Sequence, residues 1–598
     1  MFKKTKEKIQ LDMLSGVPSM LEGSSYDLYT DPQNWHNEFR EYILKTIDEK
    51  IFEVLFSDGQ GAPNASIRLL IGMMTMKEGF GWSDAQLFEQ ARFNVLVRSA
   101  LGLYNLTDPI VVPSTYYLFR KKVGEHEEKT GENLIEKAYE NITSLQVREF
   151  KVNGTSVRMD SKLIGSNIGY YSRYEIIHET LRMFYKSLSD EQKQRIGKIE
   201  KEELELLMKE KGSTVVYHST KAEIETKIQA LGLLIWKLLS LYTKSGNEIY
   251  NTLHRVFEDH YKVEEGDKVV IKDKKEISSK SIQSPHDTEC TFRNKRDQKI
   301  KGYHANLTET CDDGSLNLIT SAQMDVASIA ENVFAIEALE KSEQVLDQEI
   351  INCHADGAYN SPKNDEYCKE NDINFYLTGI QGAPGRYDLS MNENELIVVD
   401  TKTGETIPAS LTKAGKWRIK TENGIRYFEP EDINCCQLRK QIAALPNEIK
   451  HKRNNVEATI FQFCFHSRNN KTRYRGLYKN KIWMFFRCLW INLIRIVKFI
   501  EELTTKSAKN LKSALENAIL DIVSLILNVR FKILKSAINP NGLRDDNNYW
   551  LKTNNRSGLN FQIFKLFLVF WHDFCYKINL KCWTKIRIII EIQTFIIK

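Results

Sequence analysis

One aspartate stands where a short apolar run stops at a glycine. Residues 350–355 are too few and too β-branched to predict a helix, so we interpret them as a strand, and Gly357 permits a sharp exit directly after Asp356. Ligands of open α/β sheets bind at the carboxyl ends of strands, which makes Asp356 a candidate for metal binding or catalysis. An aspartate in this place is also typical of a cap on the following helix, so both interpretations stay open from this stretch alone.

Two further carboxylates occur in comparable settings. Asp160 ends a second alternating run that follows the turn signal Asn153-Gly154, and Glu457 lies four residues after Arg453 on one face of a predicted helix. Three carboxylates brought together repel one another, so a site of this kind makes sense chiefly with divalent cations. Phosphoryl transfer on nucleic acids uses such a site, with two metal ions about 3.5 to 4 Å apart on the attacking and leaving oxygens.

The acids lie in three short blocks: Met159-Asp160-Ser161, His354-Ala355-Asp356-Gly357-Ala358-Tyr359 and Arg453-Asn454-Asn455-Val456-Glu457. In this order they resemble the signature blocks of DDE-type transposases of bacterial insertion sequences. Further matches to the pattern of that family are Ser284-Pro285-His286-Asp287, Lys301-Gly302-Tyr303-His304 and Thr472-Arg473-Tyr474-Arg475-Gly476. The resemblance extends over roughly residues 15 to 480.

The resemblance implies a ribonuclease-H-like catalytic core in which Asp160, Asp356 and Glu457 are both the catalytic residues and the ligands of Mg2+ or Mn2+. It implies a DNA transposase that binds the ends of an insertion sequence and catalyses strand cleavage and strand transfer. The implied partner is double-stranded DNA, as element ends and as target, bound by a homo-oligomer.

The chain departs from the related Tyr-x-x-Arg-x-x-x-Glu-x-x-x-x-x-x-Lys signature. Lys450 and Cys464 occupy its tyrosine and lysine positions, so only the Arg-Glu half is kept. The candidates for contact with DNA in this region are Arg453, Lys471, Arg473 and Arg475.

Residues 1–150 are predicted to form an all-α domain that precedes the core. Its helices lead to a basic, aromatic-rich stretch over residues 113–122, which suits a helix-turn-helix-like reader with Arg120, Lys121 and Lys122 available to phosphates. The resemblance favours binding of the element ends by this domain. A plain helical bundle with a charged exterior is the alternative.

The predicted fold class is α/β, with a ribonuclease-H-like mixed sheet over residues 151–170 and 280–480. Residues 301–320 predict a β-hairpin within it. Residues 171–279 are predicted to be a helical insertion, whose apolar stripe over residues 224–242 packs against another helix of the chain or forms a dimer contact. Residues 383–432 are predicted to be a small β insertion.

Residues 481–598 are basic, aromatic-rich and predicted to be helical. The stretch 482–500 is not predicted to span a membrane, because it contains Arg487, Arg495 and Lys498 and each central charge costs about 2.5 to 3.5 kcal/mol on insertion scales. These three cations share one helix face, which predicts a basic amphipathic helix. Residues 560–598 fit either a packed tail or a degraded end.

The composition sets the outer bounds. The chain of 598 residues is long enough for several domains, and its net charge of +5 is so mild that a surface for DNA must be a local patch. Without a leading hydrophobic segment or repeated cysteine spacing, the expected location is the cytoplasm, in association with the nucleoid. A zinc site of Cys353, Cys368, Cys435 and Cys436 is an alternative, although adjacent cysteines make a poor pair of ligands.

Two functions from other classes compete with a transposase. One is a non-catalytic DNA-binding relic of such an element. The other is a helical scaffold built on the apolar stripe at residues 224–242, which leaves the three acidic blocks unexplained.

Overall fold

The computed structural model describes residues 1–5, 16–57, 63–242, 247–295, 298–380, 382, 384–392, 395–422 and 424–537. The chain divides into two units, Met1–Val497 and Lys498–Lys598. Residues 538–598 lie outside the described residues, so the two alternatives for residues 560–598 stay predictions.

A six-stranded mixed sheet forms the centre of the first unit. Its strands, numbered in chain order, are β1 (Ser156–Gly165), β2 (Thr291–Lys295), β3 (Gln298–Thr310), β4 (Ile319–Val326), β5 (Asn352–Ala355) and β6 (Asn374–Leu377). Strands β2, β3, β1, β5 and β6 follow one another across the sheet, and β4 pairs with β3. β3 is antiparallel to β1, β2 and β4, whereas β1, β5 and β6 run parallel to one another. The pairing of β3 with β4 confirms the predicted hairpin.

Helices connect and cover these strands. Ala335–Leu346 joins β4 to β5, and Pro362–Glu370 joins β5 to β6. After β6 the chain forms a separate five-stranded antiparallel sheet, then three helices that return to β1. The strands of that sheet are Tyr387–Asn392, Glu395–Asp400, Thr406–Leu411, Trp417–Thr421 and Gly424–Phe428, and the helices are Pro430–Ala444, Asn447–Asn454 and Val456–Cys464.

The N-terminal helices share one hydrophobic core with the central sheet. The main helices are Trp35–Phe39, Ile67–Phe80, Asp84–Phe93, Val95–Ala100, Pro113–Thr130 and Leu134–Glu149. The same core contains the first turns of the long helix Leu477–Ala537, where Phe485 and Leu489 are buried. Trp490 packs so closely on Gly79 that an added Cβ there would lie 2.1 Å from its ring.

The predicted basic face of this helix is wrong at two of its three positions. Arg495 is only 18% exposed and pairs with Oε2 of the buried Glu309 at 2.7 Å, and the clearer case is Arg487. Its side chain is buried, and Nη1 donates to the carbonyls of Glu78 at 2.9 Å and Gly79 at 3.0 Å. The cation was predicted to face solvent because its helical position matches two other cations, but here it fastens the long helix to the helix Ile67–Phe80. Among the described helices, none is both long and apolar enough to cross a lipid bilayer.

The segment after β1 is helical, as predicted, and has a core of its own. It contains Arg173–Ser187, Asp190–Gln194, Lys198–Lys209, Gly212–Tyr217, Lys221–Leu241 and Glu248–His260, followed by the short hairpin Tyr261–Glu264 and Lys268–Ile271. From the apolar stripe, Ile228, Leu231, Ile235 and Leu238 are buried in this core. The stripe therefore packs within the chain, as the first of its two interpretations predicted.

Three buried histidines make the stability of the protein dependent on pH. Burial lowers the pKa of His260 to about 3, and that of His304 and His354 to about 4. Below pH 6.5 the unfolded chain binds protons that the folded chain does not. We therefore expect the free energy of unfolding to fall on acidification from pH 7 to 5, by up to about 1.4 kcal/mol per pH unit for each histidine.

The variant His260→Phe tests this expectation through thermal unfolding midpoints measured across that pH range. Neither ring nitrogen of His260 has a hydrogen-bond partner among the described residues, so a phenyl ring leaves no polar group unsatisfied. We expect a shallower dependence on pH than in the wild type, and no change for the exposed His218→Phe. An unchanged slope in His260→Phe would show that this histidine is protonated in the folded chain.

Candidate active site

Two neighbouring parallel strands place Asp160 and Asp356 side by side. Arg158 of β1 is in register with His354 of β5, and each aspartate follows two residues later on its own strand path. Because side chains two apart point to the same face, the two carboxylates leave the sheet at one edge and on one side. Gly357 lets the chain turn away directly after Asp356, since an added Cβ there would lie 2.0 Å from the carbonyl oxygen of Gly379.

Asp356 caps the turn that follows it and also faces the neighbouring acids. Its Oδ1 accepts the backbone N–H of Ala358 at 2.7 Å, which is the capping role left open by the sequence. Its Oδ2 lies 3.9 Å from Nη2 of Arg453. The two roles use different oxygens, so capping does not remove Asp356 from the site.

The helix Val456–Cys464 brings Glu457 to the same place. Val456 and Thr459 are buried on its inner face, whereas the Glu457 side chain is 68% exposed at the rim of the site. Thr459 Oγ1 donates to Oε2 of Glu309 on β3 at 2.7 Å, which fixes this helix to the sheet. The three predicted acids thus come together from distant parts of the chain.

A single guanidinium contacts all three carboxylates. Arg453 Nη2 lies 3.2 Å from Oδ2 of Asp160 and 3.9 Å from Oδ2 of Asp356, and Nη1 lies 3.7 Å from Oε1 of Glu457. Burial raises the pKa of Asp160 above its usual value, while Arg453 and the N–H of Ser161 act in the opposite direction. The acidic centre therefore contains one internal cation that offsets part of its negative charge.

The three carboxylates are ligands of the type that a hard divalent cation binds. In this structure, however, they are spaced around the guanidinium of Arg453. Oxygen ligands alone, mostly from carboxylates, are what Mg2+ and Mn2+ prefer. In the part of the chain that the structure describes, no group of three or more His, Cys, Asp or Glu side chains is arranged so as to hold a metal ion. That finding also leaves the zinc alternative without a site, since Cys436 instead contacts Oδ1 of Asp388 at 3.1 Å.

A polar network supports the acids from inside the sheet. His304 Nδ1 lies 3.0 Å from the carbonyl of Ile329 and 3.3 Å from Nη1 of Arg293, and its Nε2 forms a hydrogen bond with Ser161 Oγ at 3.0 Å. Tyr359 OH donates to Oδ1 of Asn306 at 2.6 Å. Ser161 and Tyr359 are near neighbours in sequence of Asp160 and Asp356, so the network fixes the backbone on which each acid stands.

Glu309, which anchors the site, was not predicted from the sequence. This fully buried carboxylate on β3 accepts from Arg158 Nε at 2.6 Å and lies 2.7 Å from Nη2 of Arg495. Arg158 and Glu309 are partners across β1 and β3, and this opposite-charge pair could be recognised only once the register of these two distant strands is known. The contact with Arg495 had no comparable signal, because it depends on how the long helix packs.

The three N-terminal basic residues differ in what they contact. Arg120 lies within the fold, with Nη1 3.9 Å from Oδ2 of Asp84, and Lys122 donates to the carbonyl of Leu55 at 3.2 Å. The side chain of Lys121 is 72% exposed. Of the three, Lys121 is thus the residue presented to solvent.

The basic residues after the acidic helix also have partners within the chain. Lys471 and Arg475 donate to backbone carbonyls of residues 167–168, at 3.0 and 2.7 Å. Arg473 Nη2 donates to Oε2 of Glu78 at 3.2 Å. This segment therefore ties the N-terminal helices to the end of β1, and its contact with DNA stays a prediction.

The shorter blocks of the transposase pattern meet one another. Asp287 is buried and accepts from Tyr303 OH at 2.6 Å, from the N–H of Gly476 at 3.0 Å and from Ser166 Oγ. Each donor comes from a different segment, and Gly476 directly precedes the long helix Leu477–Ala537. Through Asp287, these blocks connect the end of β1, strand β3 and the start of the long helix.

One family model matches part of the chain. Residues 29–122 match a transposase domain. The matching family model is described as "Transposase domain (DUF772)", and the match runs from Tyr29 through most of the helix Pro113–Thr130. The transposase-domain match thus lies in the helical region that shares its core with the sheet and the long helix.

No curated protein was found to match the chain. Among solved structures, one match is the cryo-EM structure of the piggyBac transposase synaptic complex with hairpin DNA, at 8% identity. It covers 80% of this chain and 74% of that chain with a TM-score of 0.29, which does not establish a common fold.

Proposed function

We propose that the protein is a DDE-type DNA transposase that binds the ends of an insertion sequence and catalyses cleavage and transfer of DNA strands. The observation that carries the proposal is the convergence of Asp160, Asp356 and Glu457 on one guanidinium, beside the carboxyl end of β5. The transposase-domain match at residues 29–122 supports it independently, since that match lies outside the acidic segments.

The strand arrangement supports a ribonuclease-H-like core. An antiparallel β1–β3–β4 group is followed by β5 and β6 parallel to β1, with helices between the later strands. Two strand-borne acids and one helix-borne acid at one sheet edge are the arrangement that the sequence blocks imply.

In the proposed mechanism, Asp160, Asp356 and Glu457 would hold Mg2+ or Mn2+, which when bound activates the attacking oxygen and stabilises the leaving oxygen. The residues of the chain provide the positions. Strand pairing fixes the two aspartates, the contact of Thr459 with Glu309 fixes the helix of Glu457, and the exposed rim at Glu457 leaves access for a DNA phosphate. Arg453 is the cation that contacts all three acids.

We assign DNA recognition to the N-terminal helices. Of the three candidate residues there, Arg120, Lys121 and Lys122, it is Lys121 that is exposed to solvent. Arg473 and Arg475, both exposed, extend this surface beside the end of β1 although they also have internal partners. Neutralising phosphates releases counterions, so we infer salt-dependent binding to double-stranded DNA. We further propose that the protein acts as a homo-oligomer that holds two element ends. Its proposed location is the cytoplasm, on nucleoid DNA.

The deciding experiment is cleavage of a supercoiled plasmid that carries the two ends of the element. We expect the purified full chain to nick or cut this plasmid in Mg2+ or Mn2+ and to leave it intact in EDTA, because without a divalent cation nothing activates the attacking oxygen or stabilises the leaving oxygen. A plasmid without the ends is the matched control. Binding to the ends without cleavage in either metal would instead support the DNA-binding relic, which is otherwise disfavoured because all three acids are kept and brought together.

A further inference from the structure

The Arg453 side chain stands where a cation of the acidic centre is needed. Its three ionic contacts are with Asp160, Asp356 and Glu457, at 3.2, 3.9 and 3.7 Å. Only 17% of the side chain is exposed, so the charge is partly withdrawn from water. Among the residues that the structure describes, no other cation forms an ion pair with these three carboxylates.

The guanidinium of Arg453 is held by these acids. Among the described residues, the hydrogen-bond and ion-pair partners of the Arg453 side chain are these same three carboxylates, and its Nε has no hydrogen-bond partner. By contrast, Arg158 and Arg495 nearby are also fixed by backbone carbonyls, those of Lys452 and Asn317. Arg453 would therefore lose all of its known partners if another cation took the carboxylates.

A divalent cation needs the same oxygens. Mg2+ and Mn2+ bind carboxylate oxygens directly at about 2 Å, which excludes a guanidinium from the space between them. Arginine stays charged at any working pH and pairs well with phosphate, so a displaced Arg453 at the rim would meet the DNA backbone. Glu457, 68% exposed, marks the open side toward which the side chain can turn.

We propose that Arg453 and the catalytic metal ions exclude one another, so that the free protein keeps its acidic centre closed by an internal cation and loads metal when a DNA phosphate takes the arginine. This rests on the proposed function. Linkage requires that DNA and metal then raise each other's affinity, since both favour the state in which Arg453 has left the acids. The arginine thus suppresses metal-dependent cutting by protein that is not on DNA.

The test measures Mn2+ binding to the metal-free full chain without DNA, by electron paramagnetic resonance of the unbound ion. We expect Arg453→Met, of similar length and without charge, to bind Mn2+ roughly tenfold to a hundredfold more tightly than the wild type, because a charge-assisted contact no longer competes. Arg453→Gln is the second variant, since its amide still donates to a carboxylate if the methionine variant folds poorly. Adding Asp356→Asn to either variant should remove the gain.

Lys452→Met is the matched control. It removes one positive charge from the adjacent position of the same helix, but its Nζ pairs with Asp313 at 3.3 Å, away from the three acids. We expect Mn2+ binding close to that of the wild type, which separates a specific exchange from a general change in charge.

Two outcomes would count against the proposals and can be told apart. If the wild type binds Mn2+ as tightly as Arg453→Met and Arg453→Gln, and all lose it on Asp356→Asn, the exchange is wrong while the metal centre stands. If no variant shows Mn2+ binding that depends on Asp356, the metal centre is wrong, and the proposed function fails with it.

Discussion

Asp356→Asn should cut end-carrying DNA on the order of a thousandfold more slowly than the wild type in Mg2+. The asparagine oxygen can still accept the N–H of Ala358, now at 2.7 Å from Asp356, so the turn stays capped. What is lost is the charge that helps to hold a divalent cation beside the attacking and leaving oxygens. Rates are to be measured on the end-carrying plasmid under single-turnover conditions.

Binding of Asp356→Asn to the same DNA should be unchanged or slightly tighter, because a negative charge near the phosphates is gone. Asp365→Asn is the control, since Asp365 lies on the helix Pro362–Glu370, half-exposed, and pairs with Lys369 at 3.3 Å. We expect wild-type cleavage from it. If Asp356→Asn cleaves DNA at the wild-type rate, Asp356 only caps the turn that follows it. The acidic centre then has no part in the mechanism.

Glu309→Gln should be the most destabilising single change that we predict. Glu309 is fully buried between Arg158 and Arg495, so its neutralisation leaves two guanidinium groups without their carboxylate. Breaking a buried ion pair from one side costs about 3 to 5 kcal/mol. We expect a loss of this size in the free energy of unfolding of the first unit, measured by urea denaturation.

The control for this prediction is Glu366→Gln, an exposed glutamate on the helix Pro362–Glu370, for which we expect no measurable change. Because Glu309 also holds Thr459, the helix of Glu457 should loosen in Glu309→Gln, visible as faster hydrogen exchange over residues 456–464. A Glu309→Gln protein as stable as the control would mean that water reaches the two arginines.

The local parts of this fold were predictable from sequence. Alternation over residues 155–161 and the short apolar run at residues 350–355 predicted two strands, and the turn residues around 312–314 predicted the β3–β4 hairpin. Asp356 directly follows its strand, as predicted, but Asp160 does not end its strand, because β1 continues to Gly165 through its pairing with β3. The order of the acidic blocks then indicated the class of chemistry.

Contacts between distant segments were not predictable in the same way. Arg453 and Glu457 were predicted to lie on one face of a single helix, but the helix with Arg453 ends at Asn454 and the helix with Glu457 begins at Val456. The two side chains still lie 3.7 Å apart, and the contact of Arg453 with both aspartates depends on how these helices pack on the strands. Arg487 looked like a solvent-facing cation, yet it is satisfied by carbonyls of residues 78–79, more than 400 positions away. Periodicity reports which face a residue occupies and not what covers that face.

The shared core of the N-terminal helices has a consequence for how a ribosome makes this protein. Residues up to Phe80 emerge first, but Trp490, which packs on Gly79, follows only after roughly 400 further residues, or about 20 to 80 seconds at 5–20 residues per second. Throughout that interval the apolar side of the nascent helices lacks its final cover. Cotranslational folding of the N-terminal region therefore cannot finish early, and chaperones that bind exposed apolar chain have a long period in which to act on it.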